Sequence, residues 1–223
     1  MNDLQKMGGV AALIEAATFV VGFALFFTLL APSVYGSTDG DTVQSVAFLA
    51  DNQAILYIWN LIIYVLFGIF LVVLALALYE RLKAGAPAMA QTATAFGLIW
   101  AGLVIASGMV ANISLGTVVD LYGKDPAQAA SVWLALSSVE EGLGGGNEIA
   151  GGLWVLLVSW AALWARGLPR ALNYLGMVIG VSGLLTVVPV LEVLGAVFGL
   201  GLIVWFVWLG IVMLRDSKRG SQS

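Results

Sequence analysis

The chain has 223 residues, 61% of them hydrophobic and only 10% charged, with eight tryptophans and a formal net charge of −4. A mean hydropathy of +1.02 excludes a soluble domain and places the chain among integral membrane proteins. Cysteine and histidine are both absent, which removes disulfides, thiolate chemistry, imidazole metal sites, histidine-ligated haem and a histidine general base.

A membrane-crossing helix needs ~20 mostly apolar residues to cover ~30 Å of hydrocarbon. The first such run covers about 9–31. It is too long for a cleavable signal peptide, and it contains Glu15. Pro32-Ser33 then opens a polar loop with Asp39, Asp41 and Asp51 and no base. Inside that loop Val43, Val46, Phe48 and Leu49 recur at helical spacing, so a short surface helix is expected between Thr42 and Asn52. The second span, about 54–78, ends in Tyr79-Glu80-Arg81-Leu82-Lys83, and Gly85 and Pro87 break the chain before the third, about 92–115.

The one long connection runs from Gly116 to Gly146. Within it Asp125-Pro126 is a helix-start signal, and Trp133, Leu134, Leu136 and Val139 give the following segment apolar positions. This reads as a lid-like helix over the outer mouth of the bundle. Gly142, Gly144, Gly145 and Gly146 separate it from the fourth span, because each glycine costs ~1 kcal/mol inside a helix. The fourth span covers about 147–165, the fifth 171–191 and the sixth 193–214, the last two joined tightly around Glu192. The expected fold is therefore all-α, a single domain over 1–223 built as a six-helix transmembrane bundle. Gly176/Gly180 and Gly195/Gly199 are spaced to let helix backbones approach, either within the fifth and sixth spans or across a homo-oligomer interface.

Charge sets the expected orientation. Lys6, Arg81, Lys83, Arg166, Arg170, Arg215, Lys218 and Arg219 fall on one side of six spans and only Lys124 on the other, which puts both termini in the cytoplasm.

Glu15 lies ~10 Å into the first span by helical rise, where an ionised carboxylate costs several kcal/mol by most estimates. It is either a proton- or cation-binding acid or an interfacial one bonded to Asn173 or Thr94. Glu148 follows the glycines at the start of the fourth span, where free N–H groups favour an anion. It either caps its own helix together with Asn147 or turns inward toward Asn60, Tyr64, Asn112 and Glu192, which lie at similar depth. Amides inside a span need a partner, so Asn60 and Asn112 are expected to face inward. Trp59, Trp164, Tyr174 and Trp208 read as interface anchors. The glycine cluster lacks the following Lys-Ser or Lys-Thr of a phosphate loop.

The run from Gly142 to Leu157, together with Leu168-Pro-Arg-Ala-Leu-Asn-Tyr-Leu-Gly176, Gly199-Leu-Gly-Leu-Ile-Val-Trp-Phe-Val-Trp-Leu-Gly210, Ala50-Asp-Asn-Gln53 and Val110-Ala-Asn112, resembles a bacterial multi-span membrane family catalogued only as a domain of unknown function. The resemblance covers nearly the whole chain and implies a protein of the bacterial cytoplasmic membrane.

Two functional classes follow. One is binding or transport of a small amphiphile, lipid or cation through an outward-facing polar cavity lined by Asn60, Asn112, Asn147 and Glu148, with Glu15 as a candidate proton carrier. The other is a non-catalytic structural or accessory subunit. An enzyme would need carboxylate chemistry at the membrane surface and ranks third. Neither a cofactor nor a metal is expected, since no ligand spacing supports one. The expected partners are membrane lipids and a small-molecule ligand, not nucleic acid.

Overall fold

The computed structural model describes residues 2–33, 42–145 and 148–219, and all regular structure among them is helical. Helix α1 (Asn2–Leu25) passes directly into a π-helical stretch, Phe26–Leu30. The short amphipathic helix expected from its spacing forms as α2 (Thr42–Asp51) and buries Val46 and Leu49. The second rod is composite, with α3 (Gln53–Asn60), a π-helical stretch Leu61–Leu66 and α4 (Phe67–Leu82) in unbroken succession. Pro87 then opens α5 (Pro87–Tyr122), where the missing N–H costs nothing at the first turn.

Helix α5 runs 36 residues, past the position where Gly116 was expected to end it. One glycine costs ~1 kcal/mol, and burial of Val118 beyond the expected end offsets it. Val118 packs with Val46 of α2 and with Ala129 and Ala130 of α6 (Pro126–Glu140). The start of α6 follows the sequence signal, because Asp125 Oδ1 accepts from the Gln128 N–H at 3.0 Å and Pro126 occupies the first turn. A third π-helical stretch, Glu141–Gly145, ends that segment before α7 (Ile149–Ala165) begins. Gly146 and Asn147, like Asp39 and Asp41 of the first loop, lie outside the described residues.

Helix α8 (Arg170–Leu185) stops six residues before the expected end of the fifth span at 191. Pro189 explains this, since the residue before a proline avoids helical geometry. Val188 is accordingly extended, and a 3-10 turn over Pro189–Leu191 leads to α9 (Leu194–Arg219). Four helical rods, 3–30, 53–82, 87–122 and 194–217, are long and apolar enough to cross a membrane. Helices α7 and α8, at 17 and 16 residues, are apolar but shorter, about 25 Å by helical rise.

The long helices touch in sequence order: α1 on α4, α4 on α5, α5 on α7, α7 on α8, α8 on α9, and α9 back on α1. Trp154 fills the middle, fully buried, with ring centroids 5.7 Å from Trp100 and 5.8 Å from Trp205. Close approach depends on glycine at specific points. A Cβ on Gly152 would lie 2.8 Å from the Gly180 carbonyl oxygen, so α7 and α8 meet backbone to backbone. Gly176 faces Ser159 of α7 and Trp205 of α9, while Gly199 faces Phe23 of α1. These spaced glycines thus serve contacts within the chain.

Arg81 fastens one end of the assembly. Its Nε donates to the Gly167 carbonyl at 2.7 Å and its Nη1 to Gln5 Oε1 at 3.3 Å, while Nη2 pairs with Asp216. The start of α1, the end of α4, the α7–α8 turn and the end of α9 therefore meet there. Lys6, Lys83, Arg166, Arg170 and Arg215 lie on those same termini, which makes this the arginine end. Lys124 occupies the α5–α6 turn at the opposite, α6 end.

Candidate functional site

Residues three or four apart in a helix share a face. On α1 and its π-helical extension that rule aligns Glu15, Thr18, Phe19, Gly22, Phe23 and Phe26. All of these except Glu15 line a cavity of about 330 Å³. The second rod contributes Trp59, Ile63, Tyr64 and Phe67, α5 contributes Trp100 and Val104, and Glu148 reaches in from the residue before α7. Seven of the lining residues are aromatic, and Glu148 is the one charged residue among them. Phe26, 46% exposed, marks a rim through which the space communicates with the outside.

The backbone around the cavity is irregular in a consistent way. Phe26 belongs to the first π-helical stretch, and Ile63 and Tyr64 to the second. The third begins directly after Glu140, whose Oε1 accepts the Tyr64 hydroxyl at 2.6 Å. A π turn weakens the regular hydrogen-bond ladder and is frequent at functional sites. Two of the three such stretches among the described residues thus contribute lining residues, and the third is linked to the lining through the Glu140–Tyr64 bond. Burial pushes the Glu140 carboxyl above its ordinary range, the Tyr64 hydrogen bond opposes that shift, and neighbouring Glu141 adds to it.

Glu148 occupies the N-cap position of α7, but its side chain forms no capping bond. Its N–H donates instead to Thr186 Oγ1 at 3.0 Å, and that hydroxyl donates to the Gly183 carbonyl at 2.7 Å. The start of α7 is thereby tied to the end of α8. The carboxylate has no ion pair among the described residues.

The other expected site residues sit elsewhere. Asn60 Nδ2 donates to Asn112 Oδ1 at 3.1 Å, and Asn112 Nδ2 to the Tyr57 carbonyl at 3.4 Å, so the two amides link α3 to α5. Neither lines the cavity. Glu192 is exposed in the turn before α9, and Asn147 lies outside the described residues. Of the residues expected to line a site, Tyr64 and Glu148 are therefore the two that the cavity brings together.

Glu15 lies beneath the floor. The Thr18 hydroxyl donates to the Glu15 carbonyl at 2.8 Å, so the acid is one helical turn below a lining residue. It is 0% exposed, and neither carboxyl oxygen has a hydrogen-bond partner. Asn173 and Thr94 do not supply one, since Asn173 Nδ2 donates to the Leu168 carbonyl and Thr94 Oγ1 to the Ala90 carbonyl.

Sequence reasoning passed over Phe19, Phe23, Phe26, Phe67 and Trp100, and it took Trp59 for an interface anchor. Trp59 instead lines the cavity, and its indole N–H is buried without a hydrogen-bond partner. The signal was present in the first span, where the phenylalanines recur on the same face as Glu15.

No group of three or more acids that could hold a metal occurs among the described residues. The cavity can enclose an apolar molecule and offer one carboxylate to it. Among the lining residues Glu148 is the one acid. No curated protein and no solved structure matches the chain. A family described as a domain of unknown function (DUF4386) matches residues 7–212, nearly the whole length over which these helices and the cavity are built, and the chain belongs to that family.

Proposed function

We propose that the chain is a six-span protein of the bacterial cytoplasmic membrane, both termini inside, that binds a small amphiphile in the aromatic cavity. The observation that carries this reading is the cavity itself, with seven aromatic side chains around one carboxylate. Pockets of ~300–1,000 Å³ with mostly apolar walls and a few polar groups are the usual form of a small-molecule site. Exposed Phe26 on the rim gives an amphiphile an apolar route in.

Six spans rest on α7 and α8 crossing as a pair, each about 25 Å long by helical rise. The cluster of basic termini around Arg81 supports a cytoplasmic arginine end. Helices α2 and α6 then lie over the outer end as a cover, joined through Val46, Val118, Ala129 and Ala130. Passage of the ligand across the membrane would add to binding a second opening at the arginine end.

The test is native mass spectrometry of gently solubilised protein beside Gly22→Leu. A Cβ on Gly22 would lie 3.2 Å from Ile63, and the rest of a leucine would occupy the space. A small-molecule adduct kept by the wild type and lost by the filled variant is the expected result. Ligand-free wild type that also takes up no added amphiphile would sink the reading.

A structural or accessory subunit is the second reading, favoured by the Asn60–Asn112 pair, which bonds α3 to α5 rather than lining the cavity. Under it, substitutions at Glu148 would alter only stability.

A further inference from the structure

We propose that the occupant is a lipophilic organic cation, a quaternary or bulky tertiary ammonium, whose charged head lies against Glu148 among the aromatic rings. This rests on the cavity being a binding site and assigns its substrate class.

Local charge points to a cation: Glu148 is the one charged residue lining the space, and no basic side chain among the described residues pairs with it. Lys6, Arg81, Lys83, Arg166, Arg170 and Arg215 are at the arginine end, and Lys124 is about 30 Å along the chain from Val104 by helical rise. A positive partner stabilises the charged form of a carboxylate held in an apolar site. Here the ligand is the available source of one, whereas an anion would face that carboxylate.

The rings of the lining favour the same charge. Aromatic faces carry negative charge and attract cations, most strongly when water is excluded. Few oxygens line the space: apart from Glu148 the side chains offer only the Tyr64 and Thr18 hydroxyls, which donate to Glu140 and to the Glu15 carbonyl. A metal ion or a primary ammonium would lose more hydration than these groups replace. A cation whose charge is wrapped in carbon loses little, and its hydrocarbon surface matches the walls. The volume of about 330 Å³ suits one such molecule of modest size.

Benzyltrimethylammonium and its uncharged isostere neopentylbenzene separate charge from hydrophobicity, and phenylacetate serves as the anionic control. Binding would be followed by tryptophan fluorescence of the full chain in zwitterionic nanodiscs, with empty nanodiscs as the blank. The cation should bind about tenfold more tightly than the isostere, and phenylacetate should not bind. Glu148→Gln should weaken the cation about tenfold and leave the isostere within about twofold, with Glu148→Asp keeping the cation preference in case the glutamine variant folds poorly. If the neutral isostere binds the wild type as well as the cation does, the cationic assignment is wrong while the binding cavity stands. A cation preference unchanged in Glu148→Gln would likewise overturn it. If none of the three binds, the cavity reading fails as well.

Discussion

The hydroxyl of Tyr64 donates to Glu140 at 2.6 Å, and this bond ties the rod that walls the cavity to the helix lying at its α6 end. Tyr64→Phe removes it and leaves a largely buried carboxylate without that donor. A loss of about 1–3 kcal/mol is expected, concentrated locally. Hydrogen exchange should show faster amide exchange over 126–145 with little change in α9.

Glu140 should also give that connection a pH dependence. Its carboxyl is raised by burial, so the folded chain holds the proton more tightly than the unfolded chain does. The resulting contribution is complete below the ordinary carboxylate range and is lost as pH rises through the raised value. Glu140→Gln, which cannot titrate, should gain thermal stability relative to wild type as pH goes from acid to neutral. A constant difference between the two melting curves would contradict the assignment.

Glycines on two neighbouring helices should respond in opposite directions. Gly152→Ala drives a methyl to 2.8 Å from the Gly180 carbonyl and the Leu184 nitrogen, both backbone atoms that cannot rotate away. A cost of about 1–3 kcal/mol is expected from overpacking. Gly102 has nothing within 4 Å, so Gly102→Ala should stabilise α5 by about 0.5–1 kcal/mol through backbone entropy. Thermal unfolding in one detergent compares them directly.

Glu15 has no hydrogen-bond partner within the bundle. Glu15→Leu should therefore preserve the melting temperature or raise it, because an apolar side chain of similar size removes a buried polar group at no loss of pairing. A fall of several degrees would show that the acid is held by an interaction on which the fold depends.

A cysteine-free chain suits a direct test of six spans. Ser131→Cys and Glu192→Cys should react with a membrane-impermeant maleimide from outside intact cells. Lys83→Cys and Arg170→Cys should react only after permeabilisation. Outside labelling of Arg170→Cys would mean that α7 does not cross.

Local signals with a specific chemistry were legible in the sequence. Asp125-Pro126 started a helix as its capping rules require, and the valine and leucine spacing between Thr42 and Asn52 became α2. Boundaries decided by packing were not. Gly116 is a weak breaker that burial of Val118 overrode, whereas Pro189 broke the chain before a reading based on hydropathy alone would end the span. At the site, polar residues drew notice because each must find a partner in a membrane. Asn60 and Asn112 found theirs in one another, and the cavity walls were built from phenylalanines that in a membrane segment look like ordinary lipid-facing residues.

The order in which the helices touch has a consequence for synthesis. Every long helix can dock on the one made just before it except α1, whose second neighbour is α9, with Gly9 seated against Gly210 and Leu214. At ~5–20 residues per second, the ribosome delivers that partner on the order of 10–40 s after α1 emerges. During this interval one flank of the first helix faces lipid or an insertase, and the last helix to arrive closes the ring.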